Sequence, residues 1–123
     1  MKILINDKRK IYAVQESFTE MFPYLKLEFL VKPHQSGGAS SKKLMESSSK
    51  TIGECRTVHS NGTMTILPKM TVVDLEGGFS DTFGLSVRVF RKSGTAWLEV
   101  PSSNSFTLNE ENQIGEEMNK LEQ

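Results

Sequence analysis

The stretch FTEMFPYLKLEFLVK, residues 18–32, decides the fold because it joins the end of a helix to a strand. Phe18 and Phe22 stand four positions apart, as two residues on one helix face do. Pro23 then ends the helix, since a proline disfavours the helical conformation of the residue before it. From residue 25 onward apolar and charged residues alternate, which predicts a strand with one buried face.

A second stretch, FSDTFGLSVRVFRK at residues 79–92, repeats this plan. Its two phenylalanines align with those of the first stretch, and Gly84 takes the place of Pro23 as the stop. With one residue skipped, the alternating apolar positions also align. The chain is therefore predicted to contain two strand–helix–strand halves.

Such halves predict an α+β fold of the split-βαβ, ferredoxin-like kind. We expect a two-layer sandwich with a mainly antiparallel sheet and the helices on one face. An added hairpin strand and a C-terminal helix complete the prediction. The whole chain, residues 1–123, is expected to be a single domain, which its length suits.

The remaining elements follow from local patterns. Apolar runs predict a strand at 2–6 and a helix at 10–22. The pair Asn61 and Gly62 predicts a hairpin between strands at 54–59 and 63–67.

Two capping boxes predict the other helices. Thr71 with Asp74 opens one of them. Gly77 and Gly78 lower its helix propensity, and we expect another interaction, such as close contact with the sheet, to offset this loss. Thr107 with Glu110 opens the last. Its glutamates are expected to be solvated, and its apolar residues share one face: Ile114, Met118 and Leu121.

The composition limits the partners and the compartment. Fifteen basic residues balance fifteen acidic ones, so no strong field steers the chain to nucleic acid or to a membrane. The single cysteine excludes an intramolecular disulfide, and the apolar runs are too short for a signal peptide or a spanning helix. We expect a cytoplasmic protein with no cofactor.

Residues 70–100, MTVVDLEGGFSDTFGLSVRVFRKSGTAWLEV, are similar to a group of small bacterial proteins of unknown function. The resemblance implies neither a catalytic motif nor a ligand.

The segment KPHQSGGASSKKLMESSSK, residues 32–50, has two interpretations. Its low apolar content favours a flexible loop at 33–51. Alternatively, backbone amides of adjacent glycines cradle a phosphate or small molecule while lysines add charge. The residues of that alternative site are His34, Gly37, Gly38, Lys42 and Lys43. Their spacing does not match a P-loop.

Catalytic and metal-binding groups are sparse. Cys55 is a weak catalytic candidate, because it stands four residues from His59 on a predicted strand, too far for a thiol–imidazole contact. The histidines His34 and His59, even with Glu54, lack metal-ligand spacing, so no metal is expected.

These patterns favour a non-catalytic interaction or self-association module with a protein partner or a second copy of the chain. Its expected interface residues are Trp97, Met118 and Leu121, since Trp is frequent at interfaces.

Overall fold

The computed structural model describes residues 1–31, 43–44 and 49–121. Three α-helices and six strands occur in these ranges, with a 3-10 helix at Ile52–Cys55. The helices are α1 (Ile11–Met21), α2 (Val72–Phe83) and α3 (Leu108–Leu121). The strands are β1 (Lys2–Ile5), β2 (Leu25–Val31), β3 (Lys43–Leu44), β4 (Gly62–Thr65), β5 (Ser86–Ser93) and β6 (Ala96–Val100).

The strands form two antiparallel sheets. β1 pairs with β4 in one sheet, and the other has the order β3-β2-β5-β6. These elements confirm the α+β prediction. The strand order of a ferredoxin-like sheet is not shown, because β2 pairs directly with β5 and the β1–β4 pair stands in a sheet of its own.

The helix boundaries lie where local chemistry places them. The capping box that begins α2 is formed, with the Asp74 amide donating to Thr71 Oγ1 and the Thr71 amide donating to the Asp74 carboxylate. Gly84 ends the helix at a φ of +66°, a left-handed conformation that favours glycine. In α1 the buried stripe comprises Ile11, Val14 and Phe18, and the helix stops before Pro23.

One core lies between the helices and the two sheets. The phenylalanines that defined the repeat are all nearly inaccessible to solvent, as are the alternating apolar positions of β2 and β5. Gly78 also lies against the core, because a Cβ there would be 2.5 Å from Met64 Cε in β4. The expected close contact therefore exists at Gly78. At Gly77 a Cβ would meet nothing closer than 4.0 Å.

The two halves of the chain are related by approximate two-fold symmetry. Ile3 pairs with Met64, and these residues are separated by the same number of positions as Phe18 and Phe79. Likewise Glu28 pairs with Arg88, at the spacing that relates β2 to β5 in the sequence alignment. Equivalent strands of the halves thus pair with each other, as the predicted repeat would require.

The symmetry extends beyond the predicted repeat. Thr51 and Thr107 both form capping boxes, with Glu54 and Glu110 respectively. Each threonine also forms a β-bridge to the residue that precedes α1 or α2. The half that contains Thr107 continues as the long helix α3, whereas the half that contains Thr51 stops after one short 3-10 turn.

Each of these capped segments bonds to the opposite half. Arg56 Nη1 donates to the carbonyl of Phe83, the last residue of α2, at 3.0 Å. At the equivalent place Asn112 Oδ1 accepts from the amide of Tyr24, just after α1, at 2.8 Å. The two halves are therefore joined at both helix ends as well as through their strands.

The predicted hairpin at residues 61–62 is wrong. Residues 54–59 contain no strand, and β4 pairs instead with β1. The capping box of Thr51 directs the chain into a 3-10 helix, which overrides the strand-like composition. Positive φ values occur, within the described ranges, only at Gly84 and Gly94, so Asn61 and Gly62 do not form the tight turn.

The buried face of the terminal helix α3 is not the face that carries its predicted apolar stripe. Leu108, Glu111 and Gly115 are buried, Ile114 is half-buried and Met118 is 39% exposed. A Cβ on Gly115 would lie 2.7 Å from Tyr24 Cβ, so glycine permits the close approach. The prediction that all glutamates of this helix are solvated is wrong for Glu111, which is fully buried.

Candidate functional site

The free edge of β6 is the first candidate site. The amide of Lys92 donates to Tyr24 O, toward β2, at 2.9 Å. Backbone N–H and C=O groups alternate in direction along a strand, so those of Arg91 point toward β6, where Arg91 pairs with Leu98. Trp97 and Glu99 therefore direct their N–H and C=O groups away from the sheet. Within the described ranges no strand pairs with this edge.

The hairpin that carries this edge is tightly defined. β5 and β6 are joined by the two residues 94–95, and Ser93 pairs with Ala96. Gly94 adopts a φ of +63°, the positive value required at the first central position of a type II′ turn. Pro101 follows the last residue of β6. The turn and the proline leave a short edge with fixed ends.

The two faces of β6 differ in chemistry. On the face opposite Arg91, the ammonium of Lys26 lies 5.0 Å from the ring centre of Trp97 and 5.7 Å from that of Phe90. Lys26 also forms an ion pair with Glu28 at 3.4 Å. On the other face Leu98 is 48% exposed.

The charges beside these aromatic side chains are mixed. Arg88 pairs with Glu76 at 3.6 Å, just as Lys26 pairs with Glu28. Base-stacking RNA-binding sheets combine exposed aromatic side chains with a basic surface. Here the two cations Lys26 and Arg88 each have an acidic partner. The expectation that the chain does not bind nucleic acid stays a prediction.

The predicted interface residues do not share one face. Trp97 pairs with Lys92 on the face opposite Arg91. Helix α3 lies on the opposite face, where Glu111 contacts Arg91 at 2.9 Å. Met118 is exposed on that helix, and the side chain of Leu121 lies outside the described residues. The structure therefore separates Trp97 from Met118.

A second candidate site joins Asp7, Arg56 and His59. The guanidinium of Arg56 has no exposed surface and donates twice to Asp7 Oδ1, at 2.9 and 3.0 Å. His59 Nδ1 lies 2.9 Å from Asp7 Oδ2. The hydrogen bond with His59, followed by the bond and charge of Arg56, lowers the pKa of Asp7.

This arrangement orients the imidazole of His59, whose side chain is 55% exposed. Arg56 also donates to the carbonyls of Ser60 and Phe83, so its role includes closing the connecting segment onto the end of α2. Asp7 and Arg56 were missed by sequence reasoning. No local signal marks them, because they stand 49 positions apart and follow unrelated elements.

Cys55 lies at the end of the 3-10 helix rather than on a strand. Its Sγ donates to the carbonyl of Thr51 at 3.2 Å. Burial raises the pKa of the Cys55 thiol, which disfavours the reactive thiolate. His59, the partner considered from the sequence, is instead bonded to Asp7.

The predicted phosphate-binding loop falls almost wholly outside the described residues. Four of its five predicted site residues lie outside them: His34, Gly37, Gly38 and Lys42. The backbone of Lys43 pairs with Val31 in the short strand β3. The flexible loop at 33–51 and the phosphate site both stay predictions.

Comparisons of the chain with protein-family models, with curated proteins and with solved structures found no match. The resemblance of residues 70–100 to small bacterial proteins thus stays a prediction. No helix in the described ranges is long and apolar enough to cross a membrane. Within the same ranges, no three His, Cys, Asp or Glu side chains are grouped as metal ligands would be.

Proposed function

We propose that this chain is a non-catalytic protein-interaction module that accepts an additional strand at the edge of β6. The observation that carries the proposal is the open edge, where Trp97 and Glu99 direct their backbone groups away from the sheet. Strand addition is a common mode of recognition, in which main-chain hydrogen bonds supply affinity and side-chain contacts supply specificity.

The side chains of β6 support this role. Proteins commonly protect a free edge with charged side chains, especially lysine, with proline, with a bulge or by keeping the strand short. The five-residue strand AWLEV at residues 96–100 carries one charge, Glu99, but no lysine or proline, and Leu98 is exposed. An incoming strand would find apolar surface at Leu98 and an aromatic side chain at Trp97 on opposite faces.

Two further observations favour binding over catalysis. The thiol of Cys55 has a raised pKa, so it is a poor nucleophile at neutral pH. Both oxygens of Asp7 are occupied by bonds within the chain. The proposal places the module in the cytoplasm, because a lone thiol suits a reducing compartment.

The split-βαβ class is part of this proposal. The β-α-β order of each half and the pairing of β1 with β4 support it. The ladder between β2 and β5 is an additional pairing that brings the outer strands of such a sheet together.

Selection from a displayed library of extended peptides, each about ten residues long, tests the function. Selected peptides should bind the wild-type chain and the Glu99→Ala variant, which keeps the amide at the edge. Compared with Glu99→Ala, Glu99→Pro also removes that outward N–H, and edge strands tolerate a proline at such a position. Its binding should be about tenfold weaker or more.

Circular dichroism verifies that both variants keep the fold. If no peptide is enriched, or if Glu99→Pro binds the selected peptides as well as Glu99→Ala does, the proposed function is wrong.

A further inference from the structure

We propose that the strand accepted by β6 is β6 of a second copy of this chain, paired antiparallel about Leu98. The two sheets then join in the order β3-β2-β5-β6-β6-β5-β2-β3, with a two-fold axis between the copies. This inference rests on the proposed function, because it requires the same open edge. It adds the identity of the partner and the register of the contact.

The free backbone groups favour this pairing. A two-fold interface requires that if one residue contacts another, the reverse contact also forms. With Leu98 at the centre, Trp97 stands opposite the partner's Glu99, and Glu99 opposite the partner's Trp97. These are the residues of β6 whose N–H and C=O groups point outward. Each such pair exchanges two hydrogen bonds, so both outward donors of each copy are satisfied.

Neighbouring registers are worse. A centre at Glu99 places the two Glu99 side chains opposite each other and Trp97 opposite the partner's Pro101, which has no N–H to donate. A centre at Trp97 instead places Glu99 opposite the partner's Thr95, which belongs to the two-residue turn. The fixed ends of the hairpin thus favour the register centred on Leu98.

The side chains are self-complementary in this register. Leu98 stands opposite the partner's Leu98 at a non-hydrogen-bonded position, where Cα atoms approach to about 4.5 Å and side chains meet. The exposed surface of both leucines is covered by the contact.

On the opposite face this register avoids like charges. Trp97 lies between its own neighbour Lys92 and the partner's Glu99. Lys26, whose ammonium is 5.0 Å from the Trp97 ring centre, stands on the same face. Each Glu99 carboxylate therefore faces Trp97 of the other copy, and the cations Lys92 and Lys26 lie beyond that ring on the same face. Like charges directly opposite each other would oppose pairing, and this register places none there.

Disulfide formation across the axis tests the register. Leu98→Cys is made in a Cys55→Ser background so that each chain carries one thiol. The expected Cα separation suits a disulfide, and mild oxidation should give covalent dimer at least about tenfold faster than in the controls. Leu4→Cys and Met118→Cys in the same background are matched controls, because both residues are exposed on other elements.

Sedimentation velocity over a concentration series tests the association itself. The wild-type chain should form a dimer, and Glu99→Pro should raise its dissociation constant about tenfold or more through the loss of two symmetry-related hydrogen bonds. Glu99→Ala should raise it less. Far-UV circular dichroism and thermal melting show whether each variant is folded.

The outcomes separate this inference from the proposed function. A chain that stays monomeric at millimolar concentration, with no preference for crosslinking at Leu98→Cys, overturns the second copy as partner. Selected peptides that bind wild type and not Glu99→Pro would still support strand addition at β6. A dimer that crosslinks best through Met118→Cys and ignores Glu99→Pro overturns the register and places association at α3.

Discussion

Replacement of Glu111 by alanine should destabilise the fold by about 3 kcal/mol, since it removes two hydrogen bonds to a charged group at roughly 1.5 kcal/mol each. Its fully buried carboxylate accepts from Arg91 at 2.9 Å and from Asn104 at 3.1 Å. The guanidinium of Arg91 would lose its carboxylate while its buried Nε still has no partner within the described residues. The side chain of Arg91 is 20% exposed, so water can solvate part of its charge in the variant. The expected loss of stability is therefore at the lower end of the range for breaking a buried ion pair, about 3–5 kcal/mol.

Urea denaturation followed by the fluorescence of Trp97, the single tryptophan, measures this cost. With an m-value of about 2 kcal/mol/M, the midpoint should fall by about 1.5 M at unchanged m. Glu117→Ala on the exposed side of the same helix is the matched control, and its effect should stay within about 0.5 kcal/mol.

A double variant separates the ion pair from packing. Glu111→Leu combined with Arg91→Met replaces both charges with apolar side chains, and buried pairs replaced in this way often recover their stability. It should be more stable than Glu111→Ala. If Glu111→Ala costs no more than Glu117→Ala, the buried ion pair does not hold α3 on the sheet.

Three further changes test other parts of the structure. Gly77→Ala should stabilise the chain by about 0.5–1 kcal/mol, because it improves helix propensity at a position with space for a Cβ. Gly84→Ala should destabilise it by about 1–2 kcal/mol, because alanine is strained at the positive φ of this residue. Thermal melting should show a raised Tm for the first variant and a lowered Tm for the second. The bond with His59 lowers the pKa of Asp7, so the contribution of Asp7 to stability is complete above about pH 4 and is lost as the pH falls through the folded-state pKa. Asp7→Asn should therefore weaken the decrease in the free energy of unfolding at acidic pH, and an unchanged decrease would contradict this role. Cys55 should react with a maleimide more slowly in the native chain than in urea, because burial raises its pKa; equal rates would show an accessible thiolate.

Spacing along the chain predicted the elements whose stability is local. The stripe containing Phe18 and the stripe containing Phe79 follow helical periodicity, and both lie in the core. Thr71 and Asp74 predicted the start of α2 because a capping box depends on residues only three positions apart. The alternating strand at residue 25 likewise needs no information from the rest of the chain.

The errors arose where local signals competed. Thr51 and Glu54 have the same spacing as Thr107 and Glu110, yet the β-prone residues that follow suggested a strand. The partner of β4 was also misassigned, since its pairing with β1 joins distant parts of the chain. Such pairing is set by burial of both strands in a common core, which a local turn signal does not report.

The candidate site was predictable only in part. Trp97 was expected at an interface, but its open edge depends on the order of all four strands in the sheet. The buried Glu111 has an ordinary acidic neighbourhood in the sequence, and its partner Arg91 is 20 positions away. Tertiary contacts, rather than composition, therefore define both features.

The bonds from Arg56 to Phe83 and from Asn112 to Tyr24 have a consequence for how the chain comes apart. Each half supplies the group that finishes the helix end of the other, and each half contributes one strand to both central ladders. A cut in the connecting segment at residues 57–61 would leave two fragments that each lack a completed core. We expect the mixed fragments to regain these bonds, so that refolding requires their encounter and its rate depends on concentration.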